Sequence, residues 1–234
     1  MRKFKDKEVD KETFDKIVSG ALRTASSVGM QQSSIIVVTD EEKKKQIAEL
    51  CYQDYIAAAP HLFIFVLDMY RNRKIYEEKA GELNPESDVD NFFQAFSDTI
   101  LMAQNTNNLV ESLGLGGMFL GSVLNDAEKM IEILDLPELT LPVLGYGFGY
   151  PDDDPEIKPR MPKEYRVFEN SYKKEENYLE ALKDYDEKMK EYYAHREKNS
   201  RVDSFTDQVV KINNFKLPKR AMLLDIARKN GFKL

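Results

Sequence analysis

One cysteine, two histidines and fewer basic than acidic residues define what this 234-residue chain does not offer. A lone Cys51 can form neither an internal disulfide nor a multi-cysteine metal site, so the chain suits a reducing compartment. His61 opens an apolar run and His195 lies in a charged one. Neither has a cysteine, an acid or a second histidine at ligand spacing, and neither completes a nucleophilic triad. The 34 basic and 41 acidic residues leave a net charge of −7, which repels the phosphates of nucleic acid and of anionic lipid alike. No apolar stretch approaches the ~20 residues that span a bilayer. The strongest is the short LFIFVLDMY, and the first residues, MRKFKDKEVDK, show no apolar signal region. The expectation is a cytoplasmic protein without a metal, a nucleic-acid partner or a membrane partner. If it is an enzyme, its hard chemistry comes from a cofactor.

What is present is a soluble globular composition, 42% hydrophobic and 32% charged, in a chain long enough to bury a sizeable core. Phe14, Ile17, Val18, Ala21 and Leu22 recur at helical spacing up to the polar TASS of 24–27. SSIIVVTD (33–40) is a β-branched strand, followed by a charged helix, EEKKKQIAEL. HLFIFVLD (61–68) shows no alternation, which predicts a strand buried on both faces. From Asp90 to Leu113 a long helix is predicted, its apolar positions Phe93, Phe96, Ile100, Leu101, Leu109 and Leu113 keeping a helical period, and a helix that apolar belongs at the centre of the fold. Gly114 then closes that helix with a positive φ, MFLGSV forms a short strand, and NDAEKMIEILDL forms a helix capped by Asn125 or Asp126. Residues 138–162 begin as a strand and end in a Gly/Pro-rich loop. The last third holds a charged helix with a tyrosine stripe, EENYLEALKDYDEKMKEYYAHREKNSR, and a closing helix, LPKRAMLLDIARKNGFKL. No internal repeat is present. Strands separated by helices give a mixed α/β core with a helical C-terminal extension.

ESLGLGGMFLGS (111–122) has four glycines in twelve residues, a density that invites a phosphate-loop reading. The count excludes it. A dinucleotide fingerprint starting at Gly114 needs glycine where Phe119 stands, and should follow a strand rather than a helix. A Walker-type loop from Gly116 to Gly121 continues with Ser122 and Val123 instead of lysine and a hydroxyl residue. Helix closure and close packing account for these glycines. Basic residues beside proline are more suggestive, because KPR (158–160) sets two cations on a rigid loop that suits a phosphate. RKF (2–4) adds another basic point, and HREKNSR (195–201) places Arg196 and Arg201 around a polar break.

Together, MAQNTNNLVESLGLGGMFLGSVLND, LPVLGYGFGYP, KPRMP with ENSY after it, and YDEKMKEYYAHREKNSR resemble the oxygen-insensitive, NADPH-dependent nitroreductases and flavin reductases of the major bacterial type. The similarity runs in order over nearly the whole chain. It implies an α+β fold with a central, mostly antiparallel sheet flanked by helices, built as an intertwined homodimer with non-covalent FMN at the subunit interface. The resemblance divides the chain into an FMN-binding core, 1–162, and an extension, 163–234, that wraps the partner subunit and contributes to the NADPH site.

Carried over residue by residue, Arg2 matches the second arginine of an Arg-Ser-x-Arg-x-Phe phosphate motif that Phe4 closes. Ser26 lies in the serine-rich stretch after the first helix. Gln53 and Tyr55 match the polar pair that approaches the isoalloxazine ring or ribityl chain. Phe119, Leu120, Gly121 and Ser122 match the segment beside the ring, where Ser122 replaces a frequent glycine. Lys158 and Arg160 match the cation pair near the phosphate and ring edge, and Arg196 with Arg201 matches the arginines that bind the 2′-phosphate of NADPH. The first arginine and the serine of the phosphate motif are absent from the sequence before Arg2: either the start is shortened, or the phosphate site is completed differently, by Lys3 or Arg23. A lost charge-assisted contact costs roughly 1.5–3 kcal/mol, about tenfold or more in flavin affinity. The implied activity is two-step hydride transfer from NADPH, through FMN, to nitroaromatics, quinones or free flavin, with no catalytic side chain required. The alternative is a flavin-binding or redox-sensing dimer with little turnover; a structural dimer whose site has decayed fits less well, because both cation pairs are present.

Overall fold

A computed structural model of the protein describes residues 1–81, 89–195, 202–215 and 217–234. Two compact units are present: residues 1–154 with 217–234, and residues 155–216.

In the first unit, α1 (Lys11–Leu22) starts where the Asp10 carboxylate accepts from the Thr13 amide at 2.9 Å, a side-chain N-cap. β1 (Ser33–Val38) leads to α2 (Glu41–Cys51), capped in the same way by Asp40 and ended by Tyr52 in the left-handed region, φ 55°. β2 (His61–Asp68) is buried along nearly its full length, as its unbroken apolar run requires. α3 (Tyr70–Ala80) and the 24-residue α4 (Val89–Ser112) follow. Gly114 closes α4 with φ 75°, and the chain enters β3 (Gly116–Leu120). The predicted strand stops at Leu120; residues 121–126 form a 3₁₀ turn into α5 (Ala127–Ile133), which Asp126 caps. β4 (Thr140–Gly149) completes the sheet.

Among the described residues the strands form one sheet, order β1-β2-β4-β3, antiparallel at every pairing. A bulge at Phe65/Val66 shifts the β2–β4 register. Side chains alternate across the sheet. Phe63, Phe65, Tyr146 and Phe148 face α1 and α4 in one cluster, while Leu62, Ile64, Met118 and Leu120 pack with α2 and α5 in another. On that second face a β-carbon at Gly145 would lie 2.8 Å from Val123 Cγ1, so the missing side chain lets turn 121–126 rest directly on β4.

α4 packs against α1 and the sheet, but mostly not through the apolar positions that mark it in the sequence. Phe93 and Leu101 are exposed at 61% and 52%, Ile100 and Leu113 are exposed as well, and the buried positions are Phe92, Ala95, Asp98, Thr99, Met102, Ala103, Thr106 and Val110. Small residues let the helix lie close to α1 and the sheet. The threonine hydroxyls are satisfied by carbonyls one turn back, Thr99 to Ala95 at 2.7 Å and Thr106 to Met102 at 2.8 Å. Phe93, Ile100, Leu101 and Leu113 are left exposed.

In the second unit, α6 (Tyr178–Ala181) and α7 (Lys183–His195) carry the tyrosine stripe: Tyr185, Met189 and Tyr193 are buried at four-residue spacing. α8 (Phe205–Asn214) docks through Phe205 and through the Thr206 amide, which donates to Asp186 Oδ1 at 3.0 Å. Residues 217–234, grouped with the extension in the sequence reading, pack in the first unit. They form α9 (Pro218–Ala221) and α10 (Leu223–Lys229), with Ile226, Ala227 and Phe232 buried against Phe92 and Leu139.

Candidate functional site

The N-terminal segment is tied to the end of β4. Phe4 bridges Pro151, the Lys5 amide donates to the Tyr150 carbonyl at 2.9 Å, and the Asp152 amide donates to the Lys3 carbonyl at 3.1 Å. This tether holds Arg2 with its guanidinium carbon 5.3 Å from the centroid of the Tyr55 ring, a cation–π contact. Burial raises the Tyr55 phenol above its ordinary value, and the Arg2 charge works in the opposite direction.

Tyr55 belongs to a 3₁₀ turn, 54–56, that begins just after Gln53. The Ser122 hydroxyl donates to Gln53 Oε1 at 3.0 Å, joining that turn to the start of turn 121–126. Beneath them Cys51 is buried; desolvation pushes its thiol up and the Ser122 hydroxyl opposes the shift. Phe119 lies on the other face of β3, 41% exposed, its ring centroid 5.1 Å from that of Tyr146. Leu120 is a core residue, 1% exposed, so only its backbone is available to a ligand.

A contact that sequence reasoning missed is made by Arg220 on α9. Its Nη1 donates to the Gly121 carbonyl at 3.0 Å and to Asn125 Oδ1 at 3.3 Å, and neighbouring Lys219 pairs with Asp126. Gly121 and Arg220 are 99 positions apart, and no local pattern signals such a pair. Arg2, Tyr55, Gln53, Ser122, Gly121 and Arg220 therefore form one continuous polar rim. An arginine for a phosphate, an amide and a hydroxyl for a polyol or a heteroaromatic edge, and open space beside Gly121 make a donor set that fits FMN.

Ser26 is not brought to this rim. It precedes a short turn, 27–29, that packs against α4, whereas Gln53 and Ser122 lie with the cluster on the opposite face of the sheet. Lys158 and Arg160 belong to the second unit. There Lys158 Nζ is 5.3 Å from the Tyr193 ring centroid, Arg160 Nη1 donates to the Lys158 carbonyl at 2.8 Å, and the Tyr185 hydroxyl donates to the Pro159 carbonyl at 3.3 Å. The loop is docked on α7 with the Arg160 side chain exposed. Arg196 and Arg201 lie outside the described residues. His61 stacks on Phe148 with ring centroids 4.9 Å apart, which makes it a core aromatic.

Comparison with known proteins agrees in one direction. The model of the nitroreductase family matches residues 1–150, and that of the nitroreductase family C-terminal domain matches 158–234. An FMN reductase (NADPH) of Bacillus subtilis is 32% identical, covering 99% of this chain and 94% of its own length. An oxygen-insensitive NADPH nitroreductase of Salmonella typhimurium is 33% identical, over 89% of this chain and 85% of its own. Among solved structures, NfrA2 of B. megaterium superposes with a TM-score of 0.91 at 31% identity, covering 100% of this chain and 94% of its own.

Proposed function

The chain belongs to the nitroreductase family, and from that premise we propose that it is an NADPH-dependent flavin oxidoreductase that holds FMN non-covalently and reduces nitroaromatics, quinones or free flavin. The observation that carries the proposal is the contact chain from Arg2 through Tyr55 and Gln53 to Ser122. Bound FMN supplies hydride acceptance from NADPH and hydride delivery to the acceptor, which is chemistry no side chain of this protein offers.

The protein's own part is binding and electrostatics. Arg2, steered by the Tyr55 face, presents a fixed cation to the flavin phosphate, and Lys158 and Arg160 add charge for the phosphate and for the ring edge that becomes negative on reduction. Ser122 donates its hydroxyl proton to Gln53 Oε1, so the two hold one another's rotamers, leaving the Gln53 amide NH2 as donor and the Ser122 oxygen as acceptor for the flavin. Arg196 and Arg201 supply the 2′-phosphate contacts that select NADPH. Ser26, set apart in its own chain, reaches the flavin from the partner of a homodimer, whose interface is completed by the extension.

The experiment is a visible spectrum and flavin content of the purified protein, before and after reconstitution with FMN, followed by NADPH oxidation with a nitroaromatic or quinone. Flavin bands and acceptor-dependent oxidation are expected. No flavin uptake would overturn the cofactor assignment, and bound flavin without turnover would leave a flavin-holding module.

A further inference from the structure

The loop that carries Ser26 has a backbone its sequence does not favour. Val28, Gly29 and Gln31 all take positive φ, at 44°, 72° and 53°. For an exposed, β-branched residue such as Val28 the left-handed region is a true outlier. A conformation of this kind persists only where its surroundings over-determine it. Here it is held from both ends.

α4 holds the first end. Asn105 Nδ2 donates to Thr24 Oγ1 at 2.9 Å and to the Gly20 carbonyl at 3.1 Å. Asp98, only 2% exposed, accepts the Ser27 amide with both carboxylate oxygens, at 2.9 and 3.0 Å, and the Ser27 hydroxyl at 2.9 Å. α3 holds the second end: Asn72 Nδ2 donates to the Met30 carbonyl at 2.8 Å, and Arg71 donates to the Gln31 carbonyl while pairing with Asp68 at 3.4 Å. The loop and its holders line one cleft of about 750 Å³, with Ser26, Met30, Arg71, Asn72, Tyr76 and Asp98 on its walls.

We infer that Asp98 is a positioning residue of the flavin site, fixing the strained loop so that Ser26 meets the FMN of a homodimer. The inference rests on the reading of Ser26 as a flavin contact. A buried carboxylate is costly unless it is hydrogen-bonded, and an alanine, like its neighbours Ala95 and Ala103 on the same face of α4, would pack there without that cost. Charge-assisted acceptance from a backbone amide is the strong form of the bond, which suits a group that must hold a left-handed valine in place. Asp98 acts through Ser27, the residue next to Ser26.

The test combines FMN titration with amide exchange of the apoprotein. Asp98→Ala is expected to weaken FMN binding at least tenfold and to speed exchange over residues 26–31, with Asp98→Asn and Ser27→Ala giving smaller losses in the same order. Phe232→Leu, a destabilising change in the cluster at the C-terminal end of the chain, serves as the control and leaves the FMN dissociation constant unchanged. In a double-mutant cycle, Ser26→Ala should cost much less in the Asp98→Ala background than alone, because the loop is already misplaced. Wild-type affinity in Asp98→Ala, or strictly additive losses, would overturn the inference while leaving the flavin assignment intact. A wild-type protein that takes up no FMN would sink that assignment, and the exchange data would still report whether Asp98 fixes the loop. If Asp98→Ala does not fold, Asp98→Asn and Ser27→Ala carry the same comparisons.

Discussion

The phenol oxygen of Tyr146 stands 1.8 Å from the place where a β-carbon on Gly117 would be, so the two residues occupy one space across the β3–β4 pair. The same oxygen donates to Asn107 Oδ1 on α4 at 3.0 Å, and the ring neighbours Phe119. One of the glycines that first suggest a phosphate loop is therefore there for a tyrosine.

Gly117→Ala is expected to destabilise the chain by about 1–3 kcal/mol through overpacking. Tyr146→Phe alone should cost about 0.5–1.5 kcal/mol for the lost hydrogen bond. It should not rescue Gly117→Ala, because the ring carbon Cζ still lies 2.2 Å from the added methyl. Urea melts of the two single variants and the double variant decide this; a rescue would mean that the hydroxyl alone sets the clash.

Stability should fall in mild acid through His61. Burial lowers the imidazole pKa below its ordinary 6.5, with Lys44 acting in the same direction and Glu8 against it. The unfolded chain then takes up a proton that the folded chain refuses, so this contribution is complete above pH 6.5 and is lost as pH falls from there toward the folded value. His61→Phe, which keeps the stack on Phe148, should flatten that part of a plot of stability against pH. An unchanged slope would place the titration elsewhere.

Arg220→Ala should change global stability by less than about 1 kcal/mol, since the side chain is exposed. It should nonetheless weaken FMN binding, because turn 121–126 loses its tie to α9. Arg220→Lys is expected to restore part of the affinity, because a single nitrogen, Nη1, makes both contacts, to the Gly121 carbonyl and to Asn125, and an ammonium that reached the same point could make them too. Calorimetric melts with parallel FMN titrations separate the two effects.

Arg201→Ala should raise the KM for NADPH about tenfold or more, the worth of a charge-assisted contact of ~1.5–3 kcal/mol, and leave the KM for NADH nearly unchanged. Steady-state rates with both reductants test it. Equal losses would remove Arg201 from the 2′-phosphate site.

Several elements could be read from local pattern alone because their causes are local. An unbroken apolar run makes β2, Asp126 starts α5, and Gly114 ends α4. The family resemblance rests on short motifs in order, and it survives comparison with known proteins. Other features depended on distance. Which face of α4 is buried turned on small residues that allow a close approach, and the helical period of its large apolar side chains does not mark that face. Ser27 and Asp98 are 71 positions apart, and Gly121 and Arg220 are 99 apart. The sequence by itself determined β1, β2, the start of α5 and the end of α4, each from a few adjacent residues, and the membership of the family, from short motifs in order along the chain; helices α3 and α8 were not read from it. Only the tertiary structure decided the polar rim, the clamp on loop 26–31 and the tyrosine above Gly117, because hydrogen bonds and steric exclusion act across space between groups that the chain order keeps apart.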